Sequence, residues 1–146
     1  MVDKALILRK LAELDEYLGQ VREYVNINVE QFSADWKTQR IIERTLQMIV
    51  ETCVDIAGHI ISDRGYRTPI SYADTFRVLY ESNILPKEEF GKLEKMAKFR
   101  NIIVHHYDRV DAEIVIGILK RDLEDLSTYK DVIIKMLKED ETTPNS

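Results

Sequence analysis

The chain has a single cysteine, Cys53, among 146 residues. No internal disulfide can form, and the composition suits a reducing cytoplasm. Five glycines and three prolines are too few for a turn-rich β fold and leave room for long helices. No apolar run reaches the length of a membrane span, so no membrane association is expected. Arg9 and Lys10 lie inside an amphipathic pattern, which is not the layout of a signal peptide. There is no internal repeat, no glycine-rich phosphate loop and no zinc-type Cys/His spacing. Neither a metal nor a cofactor is therefore expected.

What remains is a chain in which charged residues make up 32% and occur in short mixed runs, as on solvated helix faces. The length fits one domain with a sound core. We place that domain at residues 1–138, followed by a polar tail, 139–146, expected to fray. The net charge of −5 argues against a general nucleic-acid binder, but it is unevenly spread. Between Lys92 and Arg109, five cations (Lys92, Lys95, Lys98, Arg100, Arg109) stand against two acids (Glu94, Asp108), a local +3 that leaves −8 elsewhere. A helix C-terminus favours lysine and arginine and would explain part of this. Neither the helix dipole nor solubility calls for His105, His106 and Tyr107 in the same stretch.

Periodicity predicts an all-α, up-and-down bundle of about five helices. Ile7, Leu11, Leu14, Leu18, Val21 and Val25 alternate steps of four and three, giving a first helix from about Asp3 to Val29. Ile42, Leu46, Ile49, Cys53, Ile56 and Ile60 repeat that spacing from about Asp35 to Asp63, with Ser33 or Asp35 as cap. Two matched seams imply an antiparallel pair. Gly65 and Pro69 end the second helix. Ser71 caps a short third one, with Asp74 at the reciprocal capping position and Asn83 as its stop. Pro86 opens the fourth at its first helical position, and Asp111 caps the last.

Gln47, Glu51, Asp55 and His59 form a polar ridge at steps of four on the second helix. It is either a solvated face with Asp55 paired to His59, or a polar wall lining a site. One histidine among spaced carboxylates lacks a metal-ligand pattern.

The densest chemistry is Arg100-Asn101-Ile102-Ile103-Val104-His105-His106-Tyr107. Arginine stays protonated and offers a planar fork to phosphate oxygens. Histidine moves protons near neutral pH. Together they suit phosphodiester chemistry. Phe90, Leu93 and Ala97 put Arg100 on or beside the buried side of its helix, where it must be paired or face a cleft. Five residues separate Arg100 from His105, so on an unbroken helix they point about 140° apart. They converge within one chain only if the helix ends near Val104, and otherwise only across a dimer interface.

The pattern Arg100-Asn101, three residues, His105-His106-Tyr107 resembles the R-x4-H-x-Y motif of HEPN-domain toxins, and more narrowly the HepT type of HEPN/MNT toxin–antitoxin pairs. Asp55-Ile56-Ala57-Gly58-His59-Ile60, the Pro69 and Tyr72 region, Phe99 and Val110-Asp111 are similar in type and order, so the resemblance spans about residues 5–137. It implies a HEPN-like homodimer with a composite active site and metal-independent endoribonuclease activity on cellular RNA. Arg100, Asn101 and His105 would be catalytic, with Glu51, Asp55 and His106 in support. Tyr107 matches the tyrosine to which a nucleotidyltransferase antitoxin transfers AMP, within what can be a larger complex. Two other readings stay open: a non-catalytic subunit that binds nucleotide or partners a nucleotidyltransferase, and a plain bundle in which Arg100 pairs with Glu51 or Asp55.

Overall fold

The computed structural model describes residues 2–106, 108 and 110–142, and among these every regular element is helical. Helix α1 (Lys4–Arg22) is capped by Asp3, and Ile7, Leu11, Leu14, Leu18 and Val21 are all buried. It stops seven residues short of the expected Val29. Tyr24 and Val25 bond back only three residues, to Val21 and Arg22, and this tighter turn breaks the α ladder. Asn28 and Gln31 then exchange side-chain-to-backbone bonds in a capping box that starts a short α2 (Val29–Ala34), which the seam pattern did not foresee.

Asp35 caps α3 (Trp36–Arg64), whose seam from Ile42 to Ile60 is buried throughout. The Asp3 amide donates to Asp63 at 3.4 Å, so the start of α1 lies against the end of α3 and the pair is antiparallel, as expected. Gly65 ends α3 at φ 67, in the left-handed region that suits glycine. Ser71 caps α4 (Tyr72–Glu81). The Asp74 carboxylate does not return to Ser71. It accepts from the Ile70 amide and from both ends of the Arg67 guanidinium. The fork of Arg67 offers two charge-assisted bonds where one amide offers a single neutral one.

Pro86 sits at the cap of α5 (Lys87–His105) rather than one position inside it. Asp111 caps α6 (Ala112–Gly117), which passes through a π-helical segment (Ile118–Asp122) into α7 (Leu123–Thr142). α7 runs past the expected break at Glu139, because Arg64 pairs with Asp140 and Lys4 with Glu141. α3 is central, packing on α1, α2, α4 and α5. Tyr129 of α7 is fully buried against α3, its hydroxyl donating to the Cys53 carbonyl at 2.8 Å and its ring meeting Phe76 edge-on. Burial pushes the Cys53 thiol up to about 12, leaving an unreactive packing group. Among the described residues no helix is long and apolar enough to cross a membrane.

Candidate functional site

α5 carries the motif on two of its faces. Phe90, Leu93, Met96, Ala97, Phe99 and Ile103 are buried and fix the helix against its neighbours. Arg100 sits at the edge of that buried face, its side chain 15% exposed. Asn101 and His105, four residues apart, share the exposed face with Lys98. The helix continues through His105, and the His106 amide still bonds to Ile102 at 2.8 Å. α5 ends one residue past Val104, with His105 still in its last turn, so Arg100 and His105 are turned about 140° apart along one continuous helix.

Arg100 is held on three sides. Its Nε and Nη2 donate to Glu51 Oε1 at 3.1 and 2.7 Å. Its Nη1 donates to Asn101 Oδ1 at 3.3 Å. The guanidinium carbon lies 4.5 Å from the centre of the Tyr72 ring, a cation–π distance. A guanidinium has five N–H groups. Among the described residues these three bonds leave one N–H on Nη1 and one on Nη2, which can meet two oxygens of a phosphate.

Glu51 also accepts from Gln47 at 3.0 Å. Partial burial pushes its carboxyl up, but the bonds from Arg100 and Gln47 and the charges of Arg100 and Arg44 outweigh this and hold it below its ordinary value. It stays ionised at neutral pH and keeps Arg100 anchored. Asp55, one turn on, does not reach Arg100; it pairs with Lys10 at 2.6 Å and His59 at 3.5 Å. Glu51 and Asp55 both line an open groove of about 570 Å³, together with Arg44, Tyr17 and Tyr72. The polar ridge is thus internally paired and also forms one wall of a groove.

His106 is exposed at the end of α5. Tyr107, the expected modification site, lies outside the described residues. Among the described residues no three His, Cys, Asp or Glu side chains gather as metal ligands would. Sequence reasoning missed Tyr72 as the ring under Arg100. The two lie 28 positions apart on different helices, and no spacing rule joins them.

A family model described as HepT-like ribonuclease matches residues 14–133. The mRNA nuclease HepT of Shewanella oneidensis is 30% identical over 88% of this chain and 96% of its own length. The tRNA nuclease HepT of Aphanizomenon flos-aquae is 26% identical over 88% of this chain and 87% of its own. A solved tri-AMPylated HEPN toxin of Shewanella oneidensis, in complex with MNT antitoxin, superposes with a TM-score of 0.83 at 31% identity, over 92% of this chain and 99% of that one. With its helical fold and the Arg100 to His105 motif on α5, this chain belongs to the HepT-like ribonuclease family.

Proposed function

We propose that this HepT-like ribonuclease is the toxin of a toxin–antitoxin pair, cutting cytoplasmic RNA without a metal at a site built by two copies of the chain. The observation that carries the reading is the unbroken α5. It holds Arg100 rigidly with two N–H groups unpaired among the described residues, and it presents Asn101 and His105 on a different, exposed face. One copy cannot close Arg100 and His105 on the same phosphate, whereas a two-fold pair can.

In such a pair the ribose 2′-hydroxyl is the nucleophile. One His105 takes its proton as the oxygen attacks phosphorus. The bond to the 5′-oxygen breaks, and the other His105 supplies the proton that the leaving oxygen needs. The products are a 2′,3′-cyclic phosphate and a 5′-hydroxyl. The free fork of Arg100 meets the charge that grows on the phosphoryl oxygens. The Asn101 carbonyl is occupied by Arg100, so its amide nitrogen is left to donate to phosphate or imidazole. The Arg100–Glu51 pair is also what a purely structural arginine would make. The exposed Asn101 and His105 beside it favour catalysis.

For the antitoxin we propose a nucleotidyltransferase, as in the complex of the Shewanella oneidensis relative. The Tyr107 hydroxyl would attack the α-phosphorus of ATP, releasing pyrophosphate and leaving AMP on the tyrosine. That phosphate, a few residues from Arg100, would compete with RNA for the guanidinium, and the nucleoside would block approach.

The test is purified protein on RNA in EDTA. Cleavage is expected, abolished by Arg100→Ala or His105→Ala and largely kept by His106→Ala. Loss in EDTA with rescue by a divalent ion would overturn the metal-free chemistry. On co-expression with the partner, mass spectrometry should find AMP on Tyr107 of an inactive protein, and Tyr107→Phe should escape silencing. An inactive but unmodified toxin would mean that the partner masks the site sterically.

A further inference from the structure

The groove beside Arg100 has features that the cleavage chemistry does not use. At about 570 Å³ it lies within the size range of small-ligand sites. Its charges do not cancel. Glu51 has Arg100 and Asp55 has Lys10. Arg44 is exposed and makes no hydrogen bond or ion pair among the described residues. It stands seven residues before Glu51, two turns along the same face of α3, about 10 Å away along the axis.

Two half-buried tyrosines, Tyr17 and Tyr72, add ring surface to the groove, and Tyr72 is the ring on which Arg100 rests. Aromatic platforms beside a surplus cation are how proteins hold single-stranded nucleic acid. The carboxylates supply acceptors only. Glu51 Oε1 takes the bonds from Arg100 and Gln47, which leaves Oε2 open to a donor among the described residues.

We propose that this groove binds the nucleotide next to the cleaved bond, with its base against the tyrosines and its phosphate on Arg44, while Arg100 holds the scissile phosphate. This placement depends on the ribonuclease reading of Arg100 and His105. The carboxylate acceptors in the groove favour a base with an exocyclic amino group, so guanine, adenine and cytosine fit better than uracil, whose single N–H is flanked by two carbonyls.

The experiment titrates a fluorescent 2′-O-methyl RNA, which lacks the nucleophile, into wild type, Arg44→Ala, Tyr72→Phe and Tyr72→Leu over a salt series. It also measures kcat and KM on the matching cleavable RNA, with helicity checked by circular dichroism. Arg44→Ala should weaken binding about five- to tenfold and lower the salt slope by about one ion. KM should rise in proportion, with kcat kept within about twofold. Tyr72→Phe should bind as wild type does, whereas Tyr72→Leu, which removes the ring, should bind every base more weakly. If wild type cleaves and Arg44→Ala matches it in affinity, slope and KM, the groove is not the subsite, although the ribonuclease reading stands. A fall in kcat alone would place Arg44 in the reaction itself and overturn its role in binding. Wild type that neither binds nor cleaves RNA removes the ribonuclease reading and this proposal with it.

Discussion

In the proposed reaction Arg100 owes its usefulness to the bonds that restrict it. An unanchored arginine spends rotamer entropy to meet a phosphate, whereas one fixed by Glu51, Asn101 and Tyr72 has already lost that freedom. Glu51→Gln keeps the length of the side chain and one acceptor oxygen but loses the charge. We expect kcat for RNA cleavage to fall about ten- to a hundredfold through misplacement of the fork. Global stability should change by about 1 kcal/mol or less, because solvent reaches the pair. Steady-state cleavage and chemical denaturation of the same preparations check both halves. A large stability loss with normal kcat would make the pair structural. The folded-state carboxyl of Glu51 is held below its ordinary value, with burial opposing the shift and the bonds from Arg100 and Gln47 prevailing. Its contribution to stability is therefore present above the ordinary carboxylate range and lost as pH falls through the lowered value. The stability gap between wild type and Glu51→Gln should stay constant through neutral pH and close only in acid.

Among the elements, the two long seams were legible because both helices bury one stripe against each other, and a buried stripe is what hydrophobic periodicity records. Caps made by a side chain on its own helix were equally legible: Asp35, Ser71 and Asp111 each accept the amides their positions anticipate. Two failures share a cause: the partner of Asp74 and the length of α7 were decided by residues outside the turn being read, Arg67 for the first and Arg64 and Lys4 for the second. The end of α1 is local, set by the three-residue bonds of Tyr24 and Val25 and by the capping box that follows. Val25 still fits the seam arithmetic after the chain has turned away, so periodicity carried the helix past its true end. The site divides in the same way. That Arg100 would be paired or face a cleft followed from its place on a core-packed helix, and Glu51 was already one of the named partners. Tyr72 and the surplus Arg44 became visible only once α3 and α4 were set beside α5.

For the whole molecule, the continuity of α5 turns a question of geometry into one of stoichiometry. If a single copy housed the whole reaction, mixing wild type with an inactive variant would dilute activity in proportion. If the acid and the base are the His105 side chains of two different copies, a mixed dimer lacks one of them. Activity then follows the square of the wild-type fraction, since only dimers with two intact copies work. His105 is exposed and makes no hydrogen bond or ion pair among the described residues, so His105→Ala should fold and dimerise normally and serve as a clean diluent. Equal amounts of wild type and His105→Ala, exchanged to equilibrium at fixed total protein, should retain about a quarter of wild-type activity rather than about a half. A linear series measured after confirmed subunit exchange would put acid and base in the same copy and overturn the division of those roles between the two His105 side chains. Arg100→Ala as the diluent separates the roles further. A mixed dimer of that kind keeps both imidazoles and one guanidinium, so its series should bend less than the His105→Ala series. Equal curvature would mean that both forks must grip the phosphate before either proton can move.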